Sequence, residues 1–320
     1  TIPIKVNYIE CEPSEFYYHL FELTATPEHL IKAGFENITE RDFTDEEEIY
    51  SQLELQYIEP ELREGLNEVD LATENKIPEL IELSDLKGIL HNHSLYSDGV
   101  HSLKEMADYC KELGYGYFGI CDHSKTAVYA QGLSIETVLV QQKEIDKLNA
   151  SYTDFKILKG IESDILIDGT LDYPEDILKT FDFIVASIHS NFKMSEEQAT
   201  NRLIKAIENP YTSILGHPTG RLLLARPGYP INHKKVIDAC AANKVHIELN
   251  AHPYRLDIDW RWINYCTEKN VMISINPDAH HKEGFHDMYY GVCAARKGML
   301  TKEMCLNALP LGELLAAFKK

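Results

Sequence analysis

The chain has 320 residues, 44% of them hydrophobic, which supplies a sizeable core and a prior of about two domains. Its net charge of −20 is uneven: residues 1–82 carry 5 Lys and Arg against 21 Asp and Glu, a net of −16, which leaves −4 for residues 83–320. The acidic first part argues against tight non-specific DNA binding, and the lack of any run of about 18 apolar residues argues against a transmembrane helix.

In chain order, Thr1-Ile2-Pro3-Ile4-Lys5 lacks the apolar core of a signal peptide. Lys5 to Ile9 is a candidate strand and Pro13 to Leu23 a candidate helix. Asp45 to Leu53 reads as a helix, with Thr44 as N-cap and Glu47 three residues on. Pro60 to Gly65 reads as a turn or short helix, and residues 66–78 as polar and extended. A boundary is expected near Leu83 to Lys87, giving an acidic segment, 1–83, of small α+β type and a second domain, 84–320.

From Gly88 onward short apolar runs alternate with helical stretches. The expected helices are Ser102 to Leu113, Ser134 to Asn149, Ser195 to Glu208, Asn232 to Asn243, Asp257 to Asn270 and Phe285 to Lys297. Gly114 and Gly298 fit helix ends. About seven strands alternate with helices of this length, which implies βα units on a parallel sheet. Seven such units favour a barrel, an α/β fold of (β/α)7 type, with Thr301 to Lys320 packed outside as one or two helices. The seven cysteines are scattered without a CxxC pair and read as reduced thiols of a cytoplasmic protein.

Nine side chains of metal-binding type punctuate this pattern. They are His91, His93, Asp98, His123, Glu162, His189, His217, Asp278 and His280. Most stand at or just past the end of an apolar run, as His123 does after Tyr117-Phe118-Gly119-Ile120-Cys121. Each has a bland reading alone. His123 could cap a turn, Asp98 could be a turn residue, and Glu162 could form a salt bridge inside the barrel. Their recurrence, strand after strand, points to several cations at the C-terminal mouth of a parallel barrel. His91 and His93 alternate on one strand and can face one cation. Asp278-Ala279-His280 repeats that spacing at the last strand, which neighbours the first in a closed barrel. Imidazoles mixed with carboxylates suit Zn²⁺, Mn²⁺ or Fe. Lys125, Arg221 and Arg255 are candidate phosphate clamps, with rim salt bridges as the bland alternative. Of the other histidines, His19 and His29 lie in the acidic part. His233, His281 and His286 read as surface, His101 as a helix start, His246 as the far end of its strand, and His252 as lining the site or not.

These residues resemble the polymerase and histidinol phosphatase (PHP) family of metal-dependent phosphoesterases. The match runs from about Leu86 to Leu315: His91-Asn92-His93-Ser94, Ser97-Asp98-Gly99, Asp122-His123-Ser124, Gly160-Ile161-Glu162, Ser187-Ile188-His189, Gly216-His217-Pro218-Thr219-Gly220-Arg221, Asn250-Ala251-His252-Pro253-Tyr254-Arg255-Leu256-Asp257 and Asp278-Ala279-His280. The last three look most like the PHP domain of bacterial and archaeal family X DNA polymerases. The resemblance implies a distorted, TIM-like seven-stranded barrel with two to three divalent cations. His91, His93, Glu162 and Asp278 would hold one; Glu162, His189 and His217 a second; Asp98, His123 and His280 a third.

The first part resembles the end of that polymerase core and its linker, through Glu12-Pro13-Ser14-Glu15-Phe16 and Pro60-Glu61-Leu62-Arg63-Glu64-Gly65. Val6-Asn7-Tyr8 stands where the family usually has a catalytic Asp, and no paired Asp motif precedes it. The expectation is a shortened or degenerate polymerase half without polymerase activity. The family also usually has Asn-Pro where His252-Pro253 stands here.

The implied activity is 3′–5′ exonucleolytic or 3′-end processing hydrolysis in DNA repair. Two cations sharing Glu162 would hold a hydroxide, and Glu162, Asp278, Arg221 and Arg255 are the candidate catalytic residues. The implied partner is a DNA 3′ end, with no membrane partner. A small-molecule phosphomonoesterase of the histidinol-phosphatase type, which takes a small phosphoester, is the alternative. A non-catalytic interaction module is a third reading, opposed by all nine donor positions being filled.

Overall fold

The β-branched runs that follow Gly88 form eight short strands in a computed structural model of the chain, which describes residues 5–320. These are β1 (Gly88–Ile89), β2 (Tyr117–Ile120), β3 (Lys156–Lys159), β4 (Glu162–Asp164), β5 (Val185–Ser187), β6 (Ile214–Leu215), β7 (His246–Asn250) and β8 (Ile273–Asn276). All pairings are parallel and follow chain order, β1-β2-β3 in one sheet and β4-β5-β6-β7-β8 in another. β3 and β4 are two lengths of one stave, broken at Gly160-Ile161, and a parallel bridge from His123 to Glu162 carries the first sheet across to the second. A second bridge, Asn92 to Ala279, joins the ends of β1 and β8. The result is the expected seven-stave distorted barrel of α/β type.

Contacts divide the chain between Glu79 and Leu80, ahead of the 83/84 boundary expected from sequence. Ile81 donates its amide to Leu300 O, which ties it to the barrel unit. The unit 1–79 holds α1 (Phe16–Thr24), α2 (Pro27–Ala33), α3 (Glu46–Gln52) and α4 (Glu68–Thr73), with three single 3-10 turns. Its described residues contain no strand, so the expected α+β character is corrected to all-helical. Lys5 to Ile9 has no regular structure, and the stretch expected to be extended forms α4. The cap of α3 is Asp45, which accepts from the Glu48 amide, one residue past the expected Thr44. Glu68 explains α4: it is buried and accepts from His29 Nδ1 and from the amides of Gly65 and Leu66. The buried Arg63 is held by Glu46, Thr24 and Ile58 O and lies over the rings of Phe21 and Tyr50.

Around the barrel lie α5 (Leu103–Glu112), α6 (Ile135–Asn149), α7 (Glu175–Leu178), α8 (Glu196–Ile207), α9 (His233–Asn243), α10 (Ile263–Glu268) and α11 (Met288–Lys297). Capping boxes start α5 at Ser102/Glu105 and α8 at Ser195/Gln198, satisfying amides that a helix start leaves unpaired. The stretches expected as single helices from Asp257 and Phe285 each begin with a 3-10 segment, Trp260–Trp262 and Lys282–Asp287. The strands are buried on both faces, as parallel staves under helices must be. Outward residues such as Phe118, Ile120, Ile184 and Ile247 pack with the helices. Inward residues Leu90, Tyr117, Leu158, Phe183, Val185 and Ile214 fill the barrel.

The C-terminal stretch is not an outer layer. Leu306 and Leu314, the latter on α12 (Leu311–Ala317), are fully buried in the inner apolar set, closing the floor of the barrel. At the seam between β1 and β8, Cys305 bridges to Ile273, and Asn307 spans the gap. Asn307 Oδ1 accepts from the Ile275 amide, its Nδ2 donates to Gly88 O, and its carbonyl accepts from the Lys87 amide. The sequence shows only a terminal amphipathic stretch; the gap it fills is a property of the seven-stave closure. All seven cysteines are free thiols, and no helix of the described residues is long and apolar enough to cross a membrane.

Asn307→Ala strands the Ile275 N–H and the Gly88 C=O inside the floor. Each unpaired buried group costs about 1–3 kcal/mol, so urea unfolding of the barrel unit should lose about 2–4 kcal/mol. A change within error would mean that the seam holds without this side chain.

Candidate metal centre

All nine predicted donors converge at the C-terminal mouth of the barrel. Four groups have ligand atoms within 4.8 Å of one another: His93, Asp98, His123 and His280; His91, His93 and Asp278; His91, Glu162 and His217; and His123, Glu162 and His189. Glu162 is their centre. Its Oε1 lies 3.0 Å from His217 Nε2, 3.1 Å from His189 Nε2 and 3.3 Å from His91 Nε2. Its Oε2 lies 2.9 Å from His123 Nδ1 and 3.7 Å from His93 Nε2. Asp278 Oδ1 stands 3.0 Å from His93 Nε2. Asp98 Oδ1 stands 3.3 Å from His280 Nε2 and 3.6 Å from His123 Nε2.

The chain is bent to achieve this. His91 and Asp278 take left-handed φ values of 56° and 51°, which cost energy for residues with a Cβ. Both stand just past their strands, where the turn brings His91 to Glu162 and Asp278 to His91 and His93. Gly216 precedes His217 because a Cβ there would lie 2.2 Å from Ser187 Oγ, so only glycine lets that turn sit against β5.

A layer of acceptors beneath the donors fixes their orientation. Glu248 is fully buried and accepts from His91 Nδ1 at 2.6 Å, the His217 amide at 3.1 Å, and Asn250 and Asn276. Asp164 accepts from His189 Nδ1 at 2.6 Å. Asp122 accepts from Ser94, Ser97 and Gln141 and holds the loop that carries His93 and Asp98. Asp257 accepts from the amide and hydroxyl of Thr219, two residues past His217. Such supports set which imidazole nitrogen is free and raise its basicity. Sequence reasoning missed all four. Glu248 was detectable as a carboxylate at an inward position of Val245-His246-Ile247-Glu248-Leu249-Asn250.

The donor set fits divalent cations. His91 Nε2, His93 Nδ1, His217 Nδ1 and Glu162 Oε2 are buried without a hydrogen-bond partner, an arrangement a native interior avoids unless an ion completes it. The electrostatics agree. Burial opposes charge on His189, but Glu162 and Asp164 raise it to about 10. Burial likewise opposes charge on His280, and Asp98 and Asp278 raise it to about 9. For His91, Glu248, Glu162 and Asp278 outweigh burial and raise it well above the ordinary imidazole value. Burial, with His280 and His123 alongside, holds His93 down at about 3. Against the effect of their own burial, neighbouring imidazoles keep Glu162 and Asp278 ionised well below the carboxylate range.

Of the proposed clamps, Arg255 is at the site: its Nε lies 3.4 Å from Asp278 Oδ2. Arg221 is corrected. Its guanidinium donates to Arg255 O, Leu256 O and Asp259, all nitrogens being used to hold the loop that presents Arg255. Lys125 lies over the Tyr173 ring. His252 Nδ1 accepts from the Tyr254 amide, His246 lies at the opposite end of the barrel beside Ala317 O, and His29 is buried between Glu68 and Tyr50.

A family described as "PHP domain" matches residues 90–252, half of the chain, and this span carries seven of the nine donors. The chain belongs to the PHP family. Among its relatives is "DNA polymerase/3′-5′ exonuclease PolX" of Bacillus subtilis, 44% identical over 280 residues. That match covers 88% of this chain and 49% of the relative, so the chain spans about half of that protein's length. A "Probable phosphatase" of Acetivibrio thermocellus is 30% identical over 59% of this chain and 78% of its own. Histidinol phosphate phosphatase from Lactococcus lactis, solved with zinc, L-histidinol and phosphate, has a TM-score of 0.51 at 14% identity, covering 66% of this chain and 93% of its own. At that identity the likeness concerns the fold alone, which confirms the PHP barrel.

A cation takes an imidazole only by its free lone pair, so loading this PHP centre at pH 7 must expel protons from His189 and His280. The ligand-competent form gains with rising pH, so affinity should rise with pH and fall on acidification. Titrating Zn²⁺ into chelator-stripped, weakly buffered protein at pH 7 should release protons. Glu248→Gln should weaken Zn²⁺ binding by about ten- to a hundred-fold with circular dichroism unchanged; wild-type affinity would show that His91 needs no carboxylate behind it.

Proposed function

We propose that this PHP chain is a metal-dependent 3′–5′ exonuclease acting on DNA 3′ ends. The observation that carries the reading is the extent of the PolX likeness. It covers 88% of the chain, whereas the barrel unit Leu80–Lys320 is only about three quarters of it. The likeness to the nuclease-bearing relative therefore continues into residues 1–79, while that to the Acetivibrio thermocellus phosphatase covers 59%. A small-phosphomonoester substrate is the second reading, supported by these phosphatase relatives.

In this reading the nine donors hold two or three cations of the Zn²⁺, Mn²⁺ or Fe class. By the family resemblance His91, His93, Glu162 and Asp278 would form one set, Glu162, His189 and His217 a second, and Asp98, His123 and His280 a third; by distance His217 groups with His91 and Glu162, and His189 with His123 and Glu162. Bound cations would supply Lewis-acid charge at the phosphate and a nucleophile at neutral pH. Glu162, with His91, His189 and His217 about Oε1 and His93 and His123 about Oε2, would hold cations beside one another. Arg255, held by Arg221 through its loop, donates to a non-bridging phosphate oxygen. Its ion pair with Asp278 keeps the guanidinium beside the reacting centre. Water adds to the terminal phosphodiester, the bond from phosphorus to the 3′ oxygen of the penultimate nucleotide breaks, and that oxygen leaves with a proton. The products are a nucleoside 5′-monophosphate and a chain shortened by one residue with a free 3′ hydroxyl.

Mn²⁺-loaded protein should convert a 5′-labelled single-stranded oligonucleotide into a ladder of 3′-shortened products. Asp278→Asn should cut the rate at least about a hundred-fold with the fold retained. No shortening by the loaded protein, together with turnover of histidinol phosphate or another small phosphomonoester, would transfer the reading to a phosphatase.

A further inference from the structure

One loop at the mouth of the centre presents an aromatic ring that packing does not explain. Residues 122–133, between β2 and α6, are braced throughout. The Leu133 amide donates to His123 O, the Ser124 amide to Glu162 O, and the Gly132 amide to Ala127 O. Thr126 donates its amide to Asp172 and its hydroxyl to Asp164, and Tyr173 donates its hydroxyl to Leu133 O. Gly132 lies so close that a Cβ would come within 1.9 Å of Ser124 O. Ala127 and Ala130 are buried and anchor a 3-10 turn. Between them the turn holds Val128 and Tyr129 out, 80% and 70% exposed. An ordered loop that spends this many hydrogen bonds to expose a large ring is not minimising apolar surface.

The ring is not placed at random. Its centroid lies 6.2 Å from that of His123 and 6.5 Å from that of His189, at interplanar angles of 57° and 68°. It therefore stands as a wall over two donors that flank Glu162, with its outer face open. Its hydroxyl makes no hydrogen bond among the described residues, so the exposed group is chiefly the π face. Arg255 stands at the same mouth, its Nε 3.4 Å from Asp278 Oδ2. An open aromatic face beside a site that grips phosphate is the stacking half of a single-strand nucleotide platform.

We propose that Tyr129 stacks on the base of the 3′-terminal nucleotide, so that the centre distinguishes a base-bearing end from an abasic one. This rests on the exonuclease reading. The contact is made equally in the bound substrate and at the transition state. It therefore acts on KM and leaves kcat unchanged.

The test compares Mn²⁺-loaded wild type, Tyr129→Ala and Tyr129→Phe on two 5′-labelled single strands, one ending in thymidine and one in an abasic tetrahydrofuran residue. Wild type should favour the thymidine end. Tyr129→Ala should raise KM on that end by about ten-fold, the scale of one base–aromatic stack, with kcat and abasic-end cleavage unchanged. Tyr129→Phe should restore wild-type KM, because the ring and not the hydroxyl is required. Equal KM for Tyr129→Ala and wild type on the thymidine end, or failure of Tyr129→Phe to rescue, overturns the stacking role while exonuclease activity stands. Absence of oligonucleotide cleavage by all three proteins, with small phosphomonoesters hydrolysed, overturns the exonuclease reading and the stacking role with it.

Discussion

Glu162 is fully buried, and its two oxygens face five imidazoles, those of His91, His93, His123, His189 and His217. Taking such a group out of water is costly unless opposite charge and directed donors surround it. The barrel meets that condition by ending stave after stave at the same height. The strained backbone at His91 and Asp278 belongs to the same arrangement: two residues adopt left-handed turns so that their side chains can join the donors around the central carboxylate. A cluster of this kind is least stable alone and best satisfied when cations take up the lone pairs that it directs inward.

The inside of the barrel is correspondingly divided. On the side of β2, β5 and β6 it is filled by Tyr117, Phe183, Val185 and Ile214. On the side of β7 and β8 the inward positions are Glu248, Asn250, Ser274 and Asn276, all fully buried. These polar residues form a continuous line from floor to mouth. Asn307 and Ser274 meet, Ser274 donates to Asn276, Asn276 donates to Glu248, and Glu248 receives His91. A buried network of this type is favourable only when every member is satisfied. It links the geometry of the first imidazole to a side chain at the opposite end of the barrel.

The donors were legible because they recur at the ends of apolar runs, a pattern that needs no partner to be recognised. The parallel barrel was legible for a similar reason, since strand and helix periods alternate locally. What was not legible depends on distant pairing. Glu248 reads as one acidic residue in an apolar strand until β7 is placed beside β1. Arg221 reads as a phosphate clamp until the 255–259 loop folds over it and occupies its guanidinium. The floor residues Leu306 and Leu314 carry the same amphipathic signature as an outer helix, and only the width of a seven-stave interior sends them inward. The all-helical character of 1–79 was missed because its short helices rest on buried polar supports, such as Glu68 under His29, rather than on long periodic runs.

The seam that Asn307 closes also sets an order of assembly during synthesis. All nine donors precede residue 281, yet at the floor β1 and β8 meet through Cys305 and Asn307, and Leu306 and Leu314 complete the inner apolar set. A nascent chain stalled between these points holds all its ligands without the frame that orients them. The side chains that gather at the mouth and the side chains that hold their frame are thus separate stretches of the chain, and the geometry of the first depends on the second.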